Sequence, residues 1–169
     1  MLCAKPGCTS DTVGTSKYCR LHRDEAHMLF VERIKASEKA RVEKVEKFIR
    51  LHEAADRAGN EAALLCRPVP MVVVQHANGF DDKSPVVYRE VVDGGVCGFA
   101  WVVVRPATSS FSRWAMKNLP RASKNYGGGL CLWCPLSTQS MEIKEAYCEA
   151  YAKVLREAGV SAHAQSRLD

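Results

Sequence analysis

The chain has 169 residues, 47% hydrophobic and 25% charged, with a formal net charge of +5. That is the make-up of a water-soluble globular protein, and no apolar run reaches the length of a membrane span. The charge is too mild for a domain given over to nucleic acid, although it permits an anionic partner.

Taken in order, the chain divides into residues 1–22, 23–58, 59–69 and 70–169. The first zone, MLCAKPGCTSDTVGTSKYCRLH, holds three cysteines and a histidine and has little to bury. Residues 23–58 contain neither Gly nor Pro and are rich in strong helix formers. They read as one helix of about 35 residues, roughly 50 Å long. Val31, Ile34, Val45, Phe48, His52 and Ala55 follow a loose three–four spacing, interrupted by Glu38 and Arg41. So narrow a stripe suits a helix that packs along one side, projects as an arm or pairs with another helix. Gly59-Asn60 reads as its C-terminal stop. Residues 59–69 are a linker with a short helical turn ahead of Pro68 and Pro70.

Beyond that the period changes. MVVVQHA (71–77), PVVYREVV (85–92) and VCGFAWVVV (96–104) read as strands, with Asp93-Gly94-Gly95 as a hairpin signal between the last two. The third is apolar on both faces and should be central. A helix is expected over 108–120, capped by Thr108 or Ser109. A basic turn (121–129), a strand (130–134), a helix (139–158) capped by Ser137 or Thr138, and an edge strand (160–165) complete the chain. The expected fold class is α+β: a zinc knuckle, a long charged helix, then a small, mostly antiparallel β-β-β-α-β-α sheet with helices on one face.

The spacing C-x4-C-x10-C-x2-H, at Cys3, Cys8, Cys19 and His22, is that of two close ligand pairs joined by a loop. Zinc takes four such ligands in a tetrahedron. Pro6-Gly7 turns the chain within the first pair, and the three-residue offset of Cys19 and His22 puts both on one side of a helical turn. Three thiolates and a neutral imidazole around Zn²⁺ carry a net charge near −1, which the N-terminus of the following helix favours. The other readings are reduced cysteines in a loose tail, or a disulfide. With four protein ligands the metal would be structural, since catalytic zinc keeps a position open.

This stretch resembles the short Cys3His zinc fingers of treble-clef type, written C-x4-GC … YC-x2-H, many of which occur in small bacteriophage and regulatory proteins. The resemblance implies one structural Zn²⁺ on Cys3, Cys8, Cys19 and His22, and modules of this kind bind DNA, RNA or protein. The segment from GFAWVVVRP to YAKVLREAGVSAHAQSRLD also looks like small phage proteins. Without the apolar stretch of a secretory signal, the expected location is the cytoplasm, a host's if phage-encoded, or a virion.

Other chemistry is weaker. Cys131 and Cys134 form a C-x2-C on an expected strand, where they point to opposite faces and read as buried thiols; a second metal site with Cys97 or Cys66, or a redox pair, are the alternatives. His52 and Asp56 read as a solvated helix face. His76, Asp81 and Asp82 read as a polar loop. Gly127-Gly128-Gly129 precedes a strand, and so lacks the helix N-terminus of a phosphate loop. No catalytic residue is assigned. Arg113, Lys117, Arg121 and Lys124, with Tyr126 nearby, form the candidate nucleic-acid contact: cations for phosphates and a ring for stacking. A solvated helix end is the plainer account of the same residues. The expected function is therefore a non-enzymatic, zinc-stabilised protein binding nucleic acid. The alternatives are an assembly protein docking, or forming oligomers, through its 23–58 helix, and an enzyme with no readable motif.

Overall fold

The computed structural model describes residues 1–169 and contains three helices and six strands. Helix α1 spans Arg20–Leu65. Strands β1 (Met71–His76) and β2 (Val86–Val92) pair antiparallel as a separate two-stranded sheet. Strand β3 (Gly98–Val104), helix α2 (Ser110–Asn118), β4 (Ala122–Lys124), β5 (Leu130–Trp133), helix α3 (Met141–Glu157) and β6 (Ala162–Leu168) follow. The larger sheet has the order β4-β5-β3-β6, antiparallel throughout. The fold class is α+β, and no helix is long and apolar enough to cross a membrane.

The chain forms two compact units, Met1–Lys47 and Phe48–Asp169. In the second, β3 is central as its composition requires. Ala100, Val102 and Val104 alternate onto one face and meet Leu130 and Leu132 of β5. Tyr147, Tyr151 and Leu155, four residues apart on α3, and Phe111, Trp114 and Ala115 of α2 close over that core. Burying a side chain the size of Leu155 stabilises by about 2 kcal/mol. Ser109 caps α2 by accepting from the Ser112 amide, and Ser140, rather than Ser137 or Thr138, caps α3 by accepting from Ile143.

Three local expectations give way to long-range packing. First, α1 runs through Gly59-Asn60 instead of stopping there. Gly59 is buried, and a Cβ built on it would lie 2.7 Å from the Tyr147 ring. Asn60 turns its amide back onto the Asp56 carbonyl, 2.8 Å away. The glycine is there for close approach, and the helix ends only near Pro68. We expect Gly59→Ala to destabilise the second unit by about 1–3 kcal/mol, overpacking outweighing the gain in helix propensity, as read from a urea melt.

Second, Asp93-Gly94-Gly95 does not join β2 to β3 within one sheet. It makes a turn in which Gly95 (φ +70°) donates to Val92, and β3 takes β5 and β6 as its neighbours instead. Third, part of the expected basic turn is itself a strand. Ser123 pairs with Cys131 and Lys124 with Leu130, so 125–129 is a hairpin loop with Gly128 and Gly129 at positive φ.

Candidate metal centre and basic segment

Residues 1–22 are held by backbone bonds that a segment so poor in apolar residues could not replace by packing. Cys3 donates to Ser10, Ala4 to Lys17 and Thr12 to Met1, while Cys8 closes a turn onto Lys5 across Pro6-Gly7 (φ +79° at Gly7). Cys19 lies immediately before α1 and its carbonyl accepts from Arg23, so it starts the helix, and His22 follows within the first turn. Lys5 Nζ reaches Glu25 at 2.7 Å and ties the loop to that turn.

These constraints bring Cys3, Cys8, Cys19 and His22 together, with one donor atom from each, all within 4.8 Å of one another. Cys3 Sγ lies 3.3 Å from His22 Nδ1, Cys19 Sγ 3.4 Å from the same nitrogen, and the sulfurs of Cys8 and Cys19 are 3.9 Å apart. Donors about 2.0–2.3 Å from one centre in a tetrahedron are separated by about 3.5–3.8 Å, so the group is compatible with a bound metal ion such as zinc. Cys3 and Cys19 are buried, Cys8 and His22 partly so. Burial pushes the Cys3 thiol up. Hydrogen bonds from the backbone at Cys19 and Lys5, and from the His22 and Cys8 side chains, outweigh that and bring it down to about 6. A thiol so placed is ready to ligate as thiolate.

Arg113 and Lys117 on α2 and Lys124 at the end of β4 are exposed, and Tyr126 stands fully in solvent at the tip of the 125–129 loop. Arg105 Nη2 donates to the Gly127 carbonyl at 3.1 Å and braces that loop. Arg121 is placed differently from the other four. Its guanidinium donates to Asp56 Oδ1 (2.9 Å) and to the Tyr147 hydroxyl (3.0 Å), and it lies over the rings of Tyr147 and Tyr151. The Tyr147 hydroxyl in turn donates to Asp56. The charge of Arg121 is matched inside the second unit, whereas Arg113, Lys117 and Lys124 stand in solvent.

That network corrects the reading of His52 and Asp56 as a solvated face. Both are partly buried, and His52 Nδ1 lies 2.7 Å from the Tyr151 hydroxyl. Burial holds the His52 imidazole below its ordinary value, and the Arg121 charge adds to this. Burial would raise the Asp56 carboxyl, but hydrogen bonds from Tyr147 and Arg121 hold it low. The one hint in the sequence was that His52 and Asp56 are four apart on the same stripe as Phe48 and Ala55.

Cys131 is buried on β5 and Cys134 lies just past it, where its thiol bonds to that of fully buried Cys148 on α3. That bond lowers Cys134 to about 7 against the opposing effect of burial, whereas at Cys148 the bond and burial both push the thiol up. Cys97 is exposed, and His76 Nδ1 contacts the Ser84 carbonyl across its loop at 2.7 Å. No protein-family model matches the chain, no curated protein matches it, and no solved structure matches it.

Proposed function

We propose that this is a non-enzymatic binding protein, stapled at its N-terminus by one structural zinc ion, whose partner is a single-stranded nucleic acid. The treble-clef resemblance supports a binding role, since modules of that kind bind DNA, RNA or protein. The donor set supports a structural ion, because four protein ligands leave no position for water or substrate. The observation that carries the nucleic-acid reading is Tyr126, a fully exposed ring on a braced, glycine-rich loop beside Lys124. Base stacking on such a ring stabilises by about 1–3 kcal/mol, and the nearby cations supply the phosphate contacts.

The test is titration of a labelled single-stranded oligonucleotide at about 50 and 200 mM salt. Affinity should fall with salt, with a slope of about −0.7 for each phosphate contact. Lys117→Gln and Lys124→Gln should each reduce that slope by about one contact, whereas Tyr126→Ala should lose affinity and leave the slope unchanged. Absence of binding at about 50 mM salt would sink the proposal. A second reading, docking into a protein assembly, draws on the exposed Phe30, Ile34 and Val45 of α1. Isolation of a stoichiometric particle from the native source would favour it.

A further inference from the structure

The first unit includes α1 from Arg20 to Lys47, and over that stretch nearly every residue is exposed, Phe30, Ile34, Val42 and Val45 among them. Helices in proteins owe most of their stability to a packed apolar face, so an uncovered one of this length calls for a partner. The pattern says which. Val31, Ile34, Glu38, Arg41 and Val45 alternate three and four apart, the a and d positions of a heptad seam. In the second unit the same spacing continues through Phe48, His52, Ala55 and Gly59, covered by the chain's own residues.

The two charges at seam positions are opposite in sign. In a parallel pair of identical helices, Glu38 would meet the partner's Glu38 and Arg41 the partner's Arg41, and both contacts repel. In an antiparallel pair, a faces d. A two-fold axis between Lys39 and Ala40 then sets Glu38 opposite the partner's Arg41 and Arg41 opposite the partner's Glu38. The same axis sets Ile34 against the partner's Val45, and Val45 against the partner's Ile34. The flanking positions nearest the axis, Ser37 and Val42, each face their own copy, so no like charges meet there. The Lys39–Glu43 ion pair lies on the outer face of such a seam. Self-complementarity of this kind is what a two-fold interface requires.

We propose that α1 associates with a second copy of this chain as an antiparallel pair, sealed by Ile34 and Val45 and oriented by reciprocal Glu38–Arg41 contacts. The pairing is independent of the nucleic-acid reading. Sedimentation equilibrium of the full chain, with zinc present, should show a concentration-dependent dimer. Glu38→Arg and Arg41→Glu should each weaken it by about 100-fold or more, because each swap sets like charges against one another twice. The double swap, E38R with R41E, should return the dissociation constant to within a few-fold of the original. Circular dichroism checks that all three variants keep their helix. A chain still monomeric at about 100 μM overturns the proposal. So do single swaps that leave the dimer unchanged, as a parallel pair would, and single swaps that the double variant fails to rescue.

Discussion

Removing the metal, by a chelator or by Cys19→Ser, should unfold residues 1–22 and free the first turns of α1 while the second unit keeps its fold. The reason lies in what holds each part. Residues 1–22 have a handful of backbone bonds, and their buried hydrophobic positions are two of the four metal donors, Cys3 and Cys19. For so small a segment a metal ion held by these four donors would be the core, and in zinc-finger peptides structural zinc supplies on the order of 10 kcal/mol of apparent folding free energy. The second unit has its own core, running from Phe48 and Ala55 to Ala162 and Ala164. The check has three parts. Elemental analysis should give one zinc per chain. Amide hydrogen exchange should show protection lost over 1–22 on chelation. The near-ultraviolet signal of Trp101, Trp114 and Trp133 should stay constant. Lowering the pH should release the ion in the same way, since protons compete for thiolate and imidazole donors. Reduced protein without metal, yet with residues 1–22 still protected, would overturn the expectation.

The metal cluster was legible because its geometry is local. Cys3 with Cys8, and Cys19 with His22, are each set by a turn a few residues long, and spacing alone reports such turns. Strand β4, inside the basic segment, was missed, whereas β1, β2, β3 and β5 were legible in position from their apolar, largely β-branched runs. Their partners were not, because β3 takes β5 and β6 across long stretches of chain, and nothing in VCGFAWVVV encodes that choice. Gly59-Asn60 failed as a stop because the propensity against glycine, about 1 kcal/mol, is smaller than what packing against Tyr147 supplies. Arg121 shows the limit most directly. Its charge, and its place among other cations, pointed to an anionic partner outside the chain. The anion is Asp56, 65 residues away in the same chain.

That internal pair carries the second large effect. Asp56→Ala should destabilise the second unit by about 2–3 kcal/mol in a urea or thermal melt, because it strands two groups at once. The Arg121 side chain is only 19% exposed, and without Asp56 its positive charge stays where water reaches it poorly. The Tyr147 hydroxyl, on an almost fully buried residue, loses its acceptor as well. Breaking a fully buried pair costs about 3–5 kcal/mol; the lower figure reflects the 37% exposure of the Asp56 side chain, which lets water screen part of the change. Asp56→Asn keeps an acceptor for Tyr147 and should cost less than Asp56→Ala. Replacing both partners, as Asp56→Leu with Arg121→Met, leaves no stranded charge and should recover much of the loss. The pH dependence follows from the same groups. Asp56 is held below its ordinary value when folded, so its contribution is full above about pH 4 and is lost as pH falls through the folded value. His52 is also depressed, chiefly by burial, and must stay neutral beside Tyr151; its contribution is full above about pH 6.5 and declines below that. Stability of the second unit should therefore fall on acidification in two stages, the first removed by His52→Gln and the second by Asp56→Asn. A flat profile between pH 7 and pH 4 that His52→Gln leaves unaltered would show that the docked end of α1 does not depend on the neutral imidazole.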